Sequence, residues 1–276
     1  MGGRRCTTLR ANTLRGSAEA LMRFFRDNAV KYRRVPWYSD AFVLAELRER
    51  DVQAWPAYAE GRIYLQNLSS MVPALALGPR PGERVLDLAA APGSKTTQMA
   101  ALMANSGSIL ANDADAIRLE RLAYNVRLQG CSIVEVRLGW GEKLGELSPE
   151  SFDRVLLDVP CSGEGRFIVF EPATSRGWSR KGVTESVRLQ KKLIASGTRA
   201  LKPGGVLVYS TCTKPGGKRA AGAVGGGEFS TGSGKSAHAD TGRVCRHDAR
   251  PASLPRHGSA DLSRLRERGI LRVPDA

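Results

Sequence analysis

Histidine is nearly missing from this sequence. Its three copies, His238, His247 and His257, all follow the motifs described below. A Cys–His hydrolase is disfavoured, because no histidine lies in the part of the chain that reads as folded core. The five cysteines, Cys6, Cys131, Cys161, Cys212 and Cys245, are odd in number and widely spaced, with no CxxC pair. Neither a zinc site nor a disulfide framework is expected, and no metal is assigned. No apolar run is long enough to span a bilayer, and Met1-Gly-Gly-Arg-Arg5 carries no signal-peptide core. A cytoplasmic protein, monomeric and without a membrane partner, is the expectation. Acidic residues are also scarce: 27 Asp and Glu face 42 Lys and Arg, leaving a net charge of +15. A surplus of that size more often meets a polyanion than decorates a bland surface, so nucleic acid is the expected partner.

What is present alternates between two periods. Thr8 to Leu14 reads as a strand, and Ser17 caps an amphipathic helix with Leu21 and Phe25 inward and Arg23 and Arg26 outward. Phe42 to Arg50 is expected to be another helix. Residues 1–60 thus read as a small basic α+β appendage, with nine Lys or Arg in residues 1–36 against Glu19 and Asp27. Tyr32, Trp37 and Tyr38 interleave with this charge and suit either a nucleic-acid strand or the appendage's own core.

From residue 61 to 213 strands and helices follow in turn. Strands are expected at Arg84–Leu88, Gly107–Asp113, Ser132–Leu138, Phe152–Asp158 and Val206–Ser210, with helices at Met71–Leu77, Ser94–Leu102, Asp115–Gln129 and Val183–Leu201. The pattern implies a doubly wound, mostly parallel α/β sheet with its site at the strand C-termini. The join Ala89, Ala90, Ala91, Pro92, Gly93 is made of small residues, so a ligand can approach the backbone before Ser94 and Lys95 open a hydroxyl-capped helix. Asp113 stands 18 residues beyond Lys95, where such folds place the acid that holds a ribose diol. The alternative is a solvated cap for the next helix. Asp158, Cys161 and Cys212 also follow strand ends and are expected to share the crevice, whereas Cys131 reads as a buried structural thiol.

A thiolate, a carboxyl group and a nucleotide-like cofactor suit methylation at C5 of a pyrimidine. Leu88 to Thr96, Asp158-Val-Pro-Cys-Ser-Gly-Glu-Gly165 and Tyr209-Ser-Thr-Cys-Thr213 together resemble the RNA (cytosine-5) methyltransferases of the Nol–Nop–Sun type, bacterial ribosomal-RNA members above all. The resemblance implies a Rossmann-like domain binding S-adenosylmethionine, with Ala89 to Lys95 around its amino-acid part and Asp113 on its ribose. It implies Asp158 near both cofactor and cytosine, Cys212 as nucleophile and Cys161 as the cysteine of product release. RNA is then the partner, ribosomal before transfer RNA. The chain departs from the pattern at Trp140, where members usually carry an Asp that contacts adenine. It departs again after Thr213, where an acidic helix and two strands normally follow. Residues 214–276 read instead as a Gly- and Arg-rich tail, with eight glycines in residues 214–234. The sheet is expected to stop after its fifth strand with an edge exposed. A non-catalytic RNA-binding protein that keeps the fold is the alternative function.

Overall fold

The computed structural model describes residues 6–161 and 179–211, with the backbone of residues 270–272. The chain begins with β1 (Thr7–Ala11), α1 (Ala18–Asp27), β2 (Arg33–Val35), β3 (Tyr38–Leu44), α2 (Glu49–Gln53), α3 (Pro56–Ala59) and β4 (Ile63–Leu65). These strands form an antiparallel sheet in the order β2-β3-β1-β4. Ser17 stops the extended chain and starts α1, its hydroxyl accepting from the Ala20 N–H at 3.1 Å. Leu21 and Phe25 face inward as expected, against Phe42, Leu44 and Ile63.

Of the helix expected over Phe42–Arg50 only the last two residues, Glu49 and Arg50, are helical, opening α2. The first residues of that stretch end β3, because Phe42 and Leu44 are buried to either side of a half-exposed Val43, and Phe42 lies opposite Leu9 of β1. The run is apolar throughout, so its pattern alone does not choose; pairing with β1 satisfies the backbone that a helix would otherwise serve. The open reading of the aromatics also resolves. Tyr32 packs against Phe25 and Phe42, with ring centroids 4.9 and 5.7 Å apart, and Tyr38 is buried. They belong to the core, while Arg23, Arg26, Arg33 and Arg34 are exposed.

The second sheet is assembled from α4 (Leu68–Leu77), β5 (Arg84–Asp87), α5 (Ser94–Leu102), β6 (Ser108–Asp113), α6 (Ala116–Leu128), β7 (Val134–Leu138), a short 3-10 turn at Gly141–Lys143, α7 (Leu144–Leu147), β8 (Phe152–Asp158), α8 (Arg180–Ala200), β9 (Leu201–Ser210) and β10 (Ile270–Arg272). Its order is β10-β9-β8-β5-β6-β7, and β5 to β9 all run parallel. Both faces are covered, which is why the central strands are continuously apolar rather than alternating. Val85 enters the core shared with α4, α5 and α6, while the next residue, Leu86, enters the one shared with α7 and α8.

Two further expectations are corrected. The fifth parallel strand does not end the sheet, since β10 pairs antiparallel with β9, Ile270 opposite Val208. Ile270 and Leu271, which fall in the stretch read as a Gly- and Arg-rich tail, are therefore in a strand. The Gly-rich stretch and the three histidines lie outside the described residues. Cys6, just ahead of β1, is disulfide-bonded, although no disulfide was anticipated from the cysteine spacing. Among the described residues no helix is long and apolar enough to cross a membrane.

Candidate active site

Strand order places the site before any side chain is considered. From β5 the chain moves to β6 and β7, then returns to lay β8 on the other side of β5. The reversal opens a crevice at the C-terminal ends of β5 and β8, where doubly wound folds take their ligands. β5 ends at Asp87 and β8 at Asp158.

Beyond Asp87 the chain turns through Ala89 to Gly93, with a cis peptide between Ala91 and Pro92. Gly93 is the N-cap of α5 and has φ 101°, a conformation that favours glycine. A Cβ there would also stand 2.8 Å from the Leu122 side chain, so the turn and α6 are pressed together. The hydroxyl cap expected at this helix is absent: Gly93 has no side chain, and no side chain among the described residues bonds the opening N–H groups. Thr97 instead donates from its hydroxyl to the Gly93 carbonyl at 2.8 Å. The result is a helix start with uncapped N–H groups facing the crevice, the arrangement that accepts a carboxylate.

Lys95, from the first turn of α5, donates to Asp158 at 2.5 Å and to the Ser70 hydroxyl at 3.0 Å. Asp158 accepts on its other oxygen from the Ser210 hydroxyl at 2.7 Å. Four elements thereby converge on one carboxylate: α5, α4, β8 and β9. The Lys95 side chain is only 12% exposed, so its charge is well shielded from solvent and strongly felt by Asp158. Past Asp158, the Pro160 carbonyl accepts from Gln190 of α8 at 2.8 Å, and Gln190 accepts from the Tyr209 hydroxyl at 2.9 Å. This braces the segment carrying Cys161, which is half-buried at the crevice. Cys212, one residue past Thr211, lies outside the described residues, as do Ser162 to Gly165. Cys131 is buried away from the crevice, and burial pushes its thiol pKa up to about 11, as suits a structural side chain.

Asp113 ends β6 beside the same turn, but it is not a solvated residue. It is 3% exposed, accepts from the Ala91 N–H at 3.1 Å and the Asp115 N–H at 3.1 Å, and lies 3.3 Å from Arg118. The cap of α6 is Asp115, not Asp113. Trp140 follows β7 in the Gly139–Gly141 turn and is 62% exposed.

Asp87 joins the crevice as a residue not expected there from the motifs. It is 1% exposed, accepts from the Thr96 hydroxyl at 2.7 Å on one oxygen, and has no partner on the other. Burial is the main cause that raises its pKa to about 7. A carboxylate set between the apolar Val85-Leu86 and Leu88 was the signal available. Ser70, Ser210 and Arg118 carried none, since only the packing of α4, β9 and α6 brings them here.

The family model described as 16S rRNA methyltransferase RsmB/F matches residues 74–216. Ribosomal RNA small subunit methyltransferase F of Pectobacterium carotovorum is 41% identical over 210 residues, covering 75% of this chain and 43% of that protein. The protein of the same name in Vibrio vulnificus is 43% identical over 209 residues, with 75% and 44% covered. The chain therefore spans less than half the length of these curated relatives. A methyltransferase homologue from Pyrococcus horikoshii, solved by crystallography, is 37% identical with a TM-score of 0.68 over 78% of this chain and 67% of that one. NSun6 from the same organism, solved with SFG, shares the fold at 23% identity and a TM-score of 0.69, with 78% and 77% covered. Fold, crevice and family model agree, and the chain belongs to the 16S rRNA methyltransferase RsmB/F family.

Proposed function

We propose that this chain transfers a methyl group from S-adenosylmethionine to C5 of a cytosine in RNA, ribosomal RNA in preference to transfer RNA. The observation that carries the reading is the Asp158–Lys95 pair at the switch point, beside the uncapped start of α5. The residues fit such a cofactor. The N–H groups from Ser94 onward suit its carboxylate, and the unpartnered buried oxygen of Asp87 suits a cationic amine. Asp113 keeps acceptor capacity beyond its three present partners, enough for a ribose hydroxyl. Once bound, the cofactor supplies an electrophilic methyl group.

The protein's part is to make cytosine C5 nucleophilic. The Cys212 sulfur adds to C6 while its proton passes to N3 by way of Asp158, held in place by Lys95 and Ser210. The resulting enamine would take the methyl at C5 as the sulfur–methyl bond breaks, with S-adenosylhomocysteine as the leaving group. Loss of the C5 proton, assisted by Cys161, and expulsion of the Cys212 thiolate restore the aromatic ring. The N3 proton then returns to solvent.

Incubation with labelled cofactor and ribosomal RNA tests the reading. The parent chain should label the RNA, and Cys161→Ala should stall as a covalent protein–RNA species that survives denaturing electrophoresis. Cys212→Ala should form none. An adduct lost in Cys161→Ala and kept in Cys212→Ala would exchange the two roles. A parent chain that neither methylates nor forms an adduct would overturn the reading. The named relatives are methyltransferases, which lends nothing to the non-catalytic alternative.

A further inference from the structure

Arg10 is a cation that the chemistry above leaves unused. It lies in β1 of the N-terminal sheet with 0% of its surface exposed. Its Nε donates to Gln66 Oε1 at 2.9 Å and its Nη2 to Thr97 Oγ1 at 2.7 Å. The guanidinium lies 5.2 Å from the Tyr64 ring centroid, and Nη1 has no partner. No carboxylate among the described residues lies within ion-pair distance of it. Burying a lone charge is costly, and an apolar side chain of similar volume would fill the space more cheaply. Stability therefore gives no account of an arginine here.

Its bonds lead to the crevice. Arg10 donates to Thr97, and Thr97 donates to the carbonyl of Gly93, the N-cap of α5. The cation is thus two hydrogen bonds from the peptide that opens the helix. A guanidinium remains charged when buried, and in a dry interior its field is only weakly screened. It adds to the positive end of the α5 dipole from behind, out of solvent.

We infer that Arg10 is a positioning residue for a ligand carboxylate: through Thr97 it fixes the Gly93 turn, and with its charge it favours ligands whose anionic end sits at the α5 N-terminus. The inference rests on the cofactor reading above and extends it to a residue of the other sheet. It also separates from a structural role, because an arginine that merely fills space would affect all ligands of the crevice alike.

Calorimetry on the full chain with two ligands makes that separation. S-adenosylhomocysteine carries the amino-acid carboxylate; 5′-methylthioadenosine shares the nucleoside and thioether but lacks that end. Arg10→Met should weaken the first by about tenfold and the second by less than about twofold. Arg10→Lys, which keeps the charge, should recover most of the difference. Equal losses on both ligands, or no loss on either, would overturn the inference. Should Arg10→Met fail to fold, Thr97→Val cuts the relay with little change of volume. Selective loss of S-adenosylhomocysteine in Thr97→Val supports the inference, and an equal effect on both ligands sinks it. A parent chain that binds neither ligand would show instead that the cofactor reading had failed, and this inference with it.

Discussion

Asp87 releases its proton at a higher pH than an ordinary carboxyl group does. Burial raises its pKa to about 7, with Asp158 and Asp113 adding to the rise and the Thr96 bond and Lys95 opposing it. In the unfolded chain the same group titrates near about 3.9. Between those values the folded state keeps the proton and the unfolded state has lost it. Folding stability therefore falls as pH rises through this window, by about 1.4 kcal/mol for each pKa unit of separation. Asp87→Asn removes the titration, so its urea midpoint should decline less than the parent's between about pH 4 and about pH 7. Parallel profiles for parent and variant would contradict the raised pKa. Asp113 behaves differently, because its carboxylate already holds two backbone N–H groups and Arg118. Asp113→Ala should cost about 1.5–3 kcal/mol of cofactor affinity. It should also lower the melting temperature, since the Ala91 and Asp115 N–H groups lose their acceptor. An unchanged dissociation constant would remove Asp113 from the ribose site.

Elements report how far local chemistry reaches. Ser17→Ala should destabilise the protein by about 1 kcal/mol, because α1 loses its N-terminal side-chain cap. A urea titration measures it, and an unchanged midpoint would mean that packing of Phe25 alone sets the helix start. This cap, the whole of β8 and the whole of α5 were legible in the sequence, because each carries its own boundary signal in a capping hydroxyl, a run of apolar residues or a small-residue turn. The end of β3 was not. Phe42-Val43-Leu44 fits a helix or a strand equally well in isolation, and only the pairing with β1 decides between them. β10 was invisible for a similar reason, since three residues so far along the chain become a strand only by lying on β9. At the site, the Ala89–Lys95 turn and Asp158 could be read because they border strands. Ser70 and Ser210 depend on how helices and strands stack, which no local pattern records.

At the scale of the whole molecule, charge and connectivity set the expectations. Deleting residues 1–36 would be a poor probe of RNA binding, because it removes β1, an interior strand of the first sheet. Replacing the exposed Arg23, Arg26, Arg33 and Arg34 with Gln spares the fold and tests the same idea. Each lost phosphate contact should flatten the dependence of log K on log salt by about 0.7–0.9. An unchanged slope would move the RNA-binding surface elsewhere. Connectivity has its own consequence, which is one of timing. The Asn12 side chain donates to the Gly61 and Gln129 carbonyls, and Gln129 lies 117 residues further along. A ribosome adding residues at about 5–20 per second needs roughly 3–13 s to go from Leu65, where β4 and with it the first sheet is complete, to Gln129. For that interval the first sheet can pair its strands while Asn12 lacks one of its two acceptors and, until Thr97 is made, Arg10 lacks one of its own. The nascent chain thus carries a buried-type arginine still open to water, and the second sheet completes the first as it is synthesised.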